Sequence, residues 1–272
     1  MKNRLIVAGV GIAVLLVVIL LAPLWLFAIL VGAVAALCVM EFLRCTSPAL
    51  PKRIPIVCMA LAAAVPIASA FGGHNAVTAA SLFLLVLYLM AELILSFRDE
   101  RPLDLRDVFS AALCAGLFPI LLASLVRVGL GENSAAKLLL PFVITFSCDS
   151  AAYFAGITLG KHKITPHVSP NKTLEGCIGG FIGGIVLALI YGLILRACKI
   201  EVNFPALLIY GFLGSLVCQI GDLAFSAVKR RCGVKDYGNL LPGHGGALDR
   251  FDSMMFVAPL IEILMLWVPA IL

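Results

Sequence analysis

Between Ser226 and Asp252 the chain gathers five cations (Lys229, Arg230, Arg231, Lys235 and Arg250), three carboxylates (Asp236, Asp249 and Asp252), His244, and four glycines between 238 and 246. That mixture suits work on phosphate esters. Lys and Arg neutralise phosphate oxygens, carboxylates hold Mg2+, and the Pro242-Gly243-His244-Gly245-Gly246 turn lets backbone N–H groups approach an anion. An ordinary basic loop would account for the cations. It would not call for three aspartates.

Asp222 lies just upstream, inside an apolar run, where an ionisable group costs roughly 2.5–3.5 kcal/mol. Two readings of it stay open: a metal ligand, or an ion pair with a neighbouring Lys or Arg. Asp249 and Asp252 are three residues apart, so they share a face if a helix has begun there. A second cluster runs from Asp149, also inside an apolar run, through Lys161 to Ser169-Pro170-Asn171-Lys172-Thr173-Leu174-Glu175-Gly176. Gly156-x-x-x-Gly160-Lys161-His162 is one residue short of a P-loop and has His where Ser or Thr is required. Ser169 reads as an N-cap and Pro170 as a first-turn proline. A helix opening there would aim its N-terminus and Lys172 at the loop space, a natural anion site.

The elements that must position these residues are membrane helices. Of the 272 residues 62% are hydrophobic and 13% charged, too apolar for a soluble enzyme, a disordered chain or a secreted disulfide scaffold. The expected fold is all-α and polytopic. About nine spans are predicted, near 5–22, 24–43, 54–72, 77–96, 107–129, 137–158, 176–196, 204–227 and 252–272, with Pro23 dividing the first two. The first segment reads as a retained span rather than a cleaved leader. Residues 1–136 form an N-terminal region of about five spans. Residues 137–272 form a catalytic region with loops at 159–175 and 228–251. Alternate connections hold sixteen Lys and Arg on one side and four on the other. The positive-inside rule then places the N-terminus and both loops in the cytoplasm and the C-terminus outside. The expected location is the cell (inner) membrane, with the active site at its cytoplasmic face.

The nine cysteines include no Cys-x-x-Cys pair, so a disulfide or zinc framework is not expected. Gly176, Gly180 and Gly184 form a small-residue face suited to close helix packing within the chain, with a dimer contact as the alternative. Glu41, Glu92 and Glu262 also fall in or near spans. Glu41 and Glu92 lie near span ends, within reach of the interface.

With these residues in place, the chain resembles the phosphatidate cytidylyltransferases, or CDP-diacylglycerol synthases. Ser226, Lys229, Arg230, Lys235, Asp236, Gly238, Leu241, Pro242, His244, Gly245, Gly246, Asp249, Arg250 and Asp252 fall in register on that family's C-terminal signature. Ala247 is smaller than the aliphatic residue expected there. The likeness is specific over roughly residues 145–255. It implies a multispanning helical homodimer in phospholipid biosynthesis, which uses Mg2+, with or without a second cation, to join CTP and phosphatidate into CDP-diacylglycerol and pyrophosphate. By the same resemblance Asp222 and Asp249 hold Mg2+, supported by Asp252 or Asp149. Lys229, Arg230, Lys235 and Arg250, with Asp236 and a positioning His244, form the catalytic set. Lys161, Ser169, Asn171, Lys172, Thr173, Gly245 and Gly246 bind substrate. The implied partners are CTP, phosphatidate, membrane lipids and a second copy of the chain, without nucleic acid. The alternatives are a membrane transporter, for which paired broken-helix repeats would be expected, and a CTP-dependent lipid kinase, which would release CDP. The signature of the CDP-alcohol phosphotransferases is absent.

Overall fold

The structure, a computed structural model, describes residues 2–98, 102–238 and 245–272. Its helices, in chain order, are α1 (Lys2–Leu21), α2 (Leu24–Thr46), α3 (Arg53–Ser69), α4 (His74–Ser96), α5 (Leu105–Val128), α6 (Ser134–Leu159), α7 (Leu174–Ala197), α8 (Phe204–Arg231), α9 (Leu248–Phe251) and α10 (Met254–Trp267). Among the described residues six are long and apolar enough to cross a membrane: α2, α4, α5, α6, α7 and α8. α3 is apolar but has 17 residues.

The span expected at 252–272 is not one continuous helix. A four-residue turn, α9, precedes a break at Asp252 and Ser253, and α10 has only 14 residues. The Asp252 carboxylate accepts the N–H of Ser253 at 2.7 Å. This local bond competes with helix continuation.

The chain forms two compact units, residues 1–127 with 236–250 and residues 128–235 with 251–272.

In the first unit α2 packs on α3, and α3 on α4. Gly32 makes the α2–α3 approach possible, since a Cβ there would come within 2.8 Å of the Ala63 carbonyl oxygen. Arg53 Nε donates to both oxygens of buried Glu92, at 2.8 and 2.9 Å. Glu92 is thus an internal ion-pair partner rather than a group reaching for the interface.

In the second unit α6, α7, α8 and α10 share a core that includes Ile144, Cys148, Ala188, Leu207, Tyr210, Cys218, Val257 and Ile261. The buried hydroxyls of Tyr191 and Tyr210 donate to the carbonyls of Ala136 and Val268. The α7 glycines seat its neighbours. Gly180 and Gly183 lie against Ala152 and Ala151 of α6, and Gly184 against Ser215 of α8. The small-residue face therefore serves packing within the chain. α4 and α7 leave most of their apolar surface uncovered, as helices facing lipid do.

Gly211 shows how tight the α7–α8 contact is. A Cβ there would sit 2.7 Å from the Ile185 Cα and 3.1 Å from the Gly184 carbonyl oxygen. Both are backbone atoms that cannot rotate away. Gly211→Ala is expected to cost about 1–3 kcal/mol, read as a lower Tm in detergent. Gly11→Ala, where the added carbon meets no other element within 4 Å among the described residues, should not lower Tm.

Candidate functional site

In the second unit the turn before α7 and the helix α8 bring a cation and a carboxylate together. Lys172 Nζ lies 2.5 Å from Asp222 Oδ2, with side chains 22% and 32% exposed. Ser226, one helical turn along α8, donates its hydroxyl to Asp222 Oδ1 at 3.3 Å. This contact is the ion pair of the two readings left open for Asp222, and it leaves the metal-ligand reading open.

Asp252 and Lys229 are each only 8% exposed. Asp252 lies ahead of α10, outside the six spanning helices. Burial pushes its carboxyl up to about 7, and the Asp222 charge adds to the rise, as Asp149 does more weakly. The Ser253 amide and the Lys229 charge act the other way. Gly221 allows this approach, since a Cβ there would lie 2.7 Å from the Phe256 ring. Asp149, on α6, accepts from the Cys218 thiol at 3.5 Å. Its ligand oxygen lies within 4.8 Å of the Cys148 and Cys218 sulfurs.

Asp149, Asp222, Asp252, Lys172 and Lys229 thus occupy one unit. Asp222 and Asp149 are close enough to disfavour the charge on Asp252, and Lys229 close enough to favour it. Three carboxylates offering hard oxygen ligands suit Mg2+ better than a soft metal. By ligand type these oxygens suit the expected ion.

The loop before α7 is built differently from expectation. Ser169 to Lys172 is a turn, closed by the Lys172 N–H donating to the Ser169 carbonyl at 3.1 Å. Pro170 follows Ser169 in this turn, where its fixed φ is favourable. The helix opens only at Leu174. Thr173 is its N-cap, accepting the Gly176 N–H at 3.1 Å. Thr173, expected to contact substrate, is 3% exposed and works as a cap. Glu175 accepts the N–H groups of Lys161 and His162 on one oxygen and contacts His162 Nδ1 with the other. The side chains of Lys161 and Asn171 are exposed, and Ser169 is half-buried.

α8 ends in a Schellman turn. The Val234 N–H donates to the Lys229 carbonyl and the Gly233 N–H to that of Arg230, with Gly233 at φ +71°. A left-handed residue is what this motif requires. Arg230 donates to the carbonyls of Val168 and Val234, both at 3.1 Å, so it braces two loops. Lys235 emerges from the turn exposed.

In the first unit Asp249 Oδ2 accepts the N–H groups of Tyr237 at 2.8 Å and Gly246 at 2.9 Å. Gly245, at φ +82°, leaves room for this carboxylate, which a Cβ would approach to 2.9 Å. The Gly246 N–H, expected to face a phosphate, is bonded within the chain. Asp236 and Arg250 are exposed. His244, with Pro242 and Gly243, lies outside the described residues.

Glu41 of α2, marked by sequence only as an acid near a span end, meets this segment. It is 3% exposed and accepts the N–H groups of Ala247 at 3.0 Å and Leu248 at 2.8 Å. The only sequence signal was an acid inside an apolar run.

The sequence pattern of the cytidylyltransferase family matches residues 2–268. The phosphatidate cytidylyltransferase of Bacillus subtilis (strain 168) is 48% identical over 123 residues, 45% of this chain and 45% of its own length. That of Staphylococcus haemolyticus (strain JCSC1435) is 40% identical over 153 residues, 53% of this chain and 58% of its own. That of Staphylococcus aureus (strain COL) is 46% identical over 129 residues, 47% and 48% respectively. The chain spans about half the length of the curated relatives it matches.

Proposed function

The chain belongs to the cytidylyltransferase family, and from that premise we propose that it transfers the cytidylyl group of CTP to phosphatidate, giving CDP-diacylglycerol and pyrophosphate. The observation that carries this reading is the charged cluster of the second unit. There Lys172 meets Asp222, and Lys229 and Asp252 are buried beside them. The activity for which the three relatives are named supports it.

The chemistry asks little of a base. The phosphate monoester of phosphatidate has a second pKa near ~6, so it is largely dianionic at pH 7. One of its oxygens attacks the α-phosphorus of CTP. A new P–O bond forms there, the bond to the bridging oxygen of the β-phosphate breaks, and pyrophosphate leaves with that electron pair. The obstacle is repulsion between two polyanions, so catalysis lies in charge neutralisation and alignment. Lys172 and Lys229 supply fixed positive charge. Arg230 holds the loops that carry Lys172 and Lys235. Lys235 and Arg250 are assigned to substrate phosphates. Mg2+, which Asp222 with Asp252 and Asp149 would hold, supplies further neutralisation of the polyphosphate. Asp249, the other carboxylate that the resemblance assigns to metal, orders its own segment through two amides, and Asp249→Asn tests it separately.

The membrane arrangement is part of the proposal. α10 rises about 21 Å at 1.5 Å per residue, short of the ~30 Å hydrocarbon core. A ninth crossing therefore needs residues 268–272 as well. The Lys and Arg bias supports a cytoplasmic N-terminus and a site at the cytoplasmic face of the cell membrane. The homodimer rests on family likeness.

Purified protein given CTP, phosphatidate and Mg2+ should form a liponucleotide and one pyrophosphate per lipid converted. Folded protein that forms neither would reject the reading. Lys235→Ala should raise the KM for CTP or for phosphatidate about ten-fold, the weight of one charge-assisted hydrogen bond. If both constants stay at their wild-type values, Lys235 touches neither substrate.

A further inference from the structure

We propose that Glu41 is the positioning residue of the 245–250 segment, fixing from α2 the backbone that presents Asp249 and Arg250. An ionisable group in a spanning helix needs partners, and Glu41 finds them in two backbone amides. Each carboxylate oxygen takes one N–H, Oε1 from Ala247 and Oε2 from Leu248. The segment is shaped around this carboxylate. A Cβ at Gly238 would come within 2.5 Å of Glu41 Oε1, and one at Gly246 would overlap the carboxylate outright. These two glycines therefore make room for Glu41. The next residue, Phe42, places its ring 6.3 Å from that of Tyr237.

The consequence reaches Asp249. Its Oδ2 accepts from Tyr237 and from Gly246, the residue next to the pair that Glu41 holds. Glu41 thus orders the backbone, and the backbone orders Asp249. This gives α2 a part in ordering Asp249 and Arg250 although it carries none of the family signature. The kinetic part of the argument rests on the proposed cytidylyl transfer. The structural part does not.

Hydrogen exchange on the full-length protein in detergent tests it, with Glu41→Ala, Glu41→Gln and, as a control, Glu92→Gln. Gln keeps one acceptor oxygen and presents an NH2 group to the other amide, so its effect should be intermediate. In Glu41→Ala, peptides covering 245–250 should exchange about ten-fold faster, with Glu41→Gln between it and wild type. The Glu92→Gln control and peptides from α6 to α8 should not change. In turnover assays kcat should fall about ten- to a hundred-fold in Glu41→Ala, less in Glu41→Gln, with KM for both substrates within about three-fold of wild type. Unchanged exchange in 245–250 would overturn the proposal. So would equal loss of protection across α2 to α5, which would mark a merely structural acid. If Glu41→Ala does not fold, Glu41→Gln carries the test. If wild-type protein transfers no cytidylyl group, the exchange result still decides the role of Glu41, and the functional reading fails on its own.

Discussion

Asp222→Asn should lower turnover of CTP with phosphatidate by about 10²–10³, the loss usual when one strong electrostatic contributor is removed, while Tm stays within a few degrees of wild type. The two expectations come from different features of the same side chain. Asn matches Asp in size and still accepts the Ser226 hydroxyl. What it loses is charge. The pair with Lys172 is partly exposed on both sides, and pairs of that kind contribute at most about 1 kcal/mol. In the proposed reaction the same charge anchors the cation that two polyanions need in order to meet, and nothing else in Asn replaces it. Adding Mg2+ should not restore the rate. Turnover within a few-fold of wild type would remove Asp222 from the metal site.

Lys229→Met should damage both stability and turnover. Lys229 and Asp252 are each 8% exposed, and the Lys229 charge favours the ionised carboxylate that Asp222 and burial disfavour. Taking one charge out of such a buried set typically costs about 3–5 kcal/mol, which corresponds to a fall in Tm of roughly 10 °C. Turnover should fall at least about 10²-fold, because a fixed positive charge leaves the site. The double variant Lys229→Met with Asp252→Leu separates the effects. It removes the stranded carboxylate and should recover most of the Tm without recovering turnover, a non-additive result expected of coupled neighbours. A Tm that drops further in the double variant would mean that the two charges do not compensate one another.

The apolar elements were legible because they follow from composition. Each predicted span from 5–22 to 204–227 has its helix, and Pro23 separates α1 from α2 as expected. The break at 252–253 was not legible, because it depends on one side-chain bond from Asp252 to its neighbour's N–H, which hydropathy does not register. Ser169-Pro170 misled for a related reason. The pair serves equally in a turn and at a helix start, and the deciding contact is the Thr173 hydroxyl on Gly176.

For the site, sequence picked out Asp222 and left metal and ion pair as alternatives. The structure adds that Lys172 is the partner, which spacing alone could not select from several nearby cations. Gly238 and Gly246 were visible as glycines that something must approach. That the approaching group is Glu41 could not be read, since its amide partners are 206 and 207 residues away along the chain. His244, the one histidine of the signature, lies outside the described residues.

The account stands most directly on where the label of CTP goes. Purified protein is incubated with phosphatidate, Mg2+ and CTP labelled either at the α- or at the γ-phosphorus, and the lipid and aqueous phases are counted separately. Cytidylyl transfer predicts α-label in the lipid phase as a liponucleotide, with γ-label left in water as pyrophosphate. Label from the γ-phosphorus in the lipid phase, with α-label remaining in aqueous CDP, would contradict it and make the protein a CTP-dependent lipid kinase.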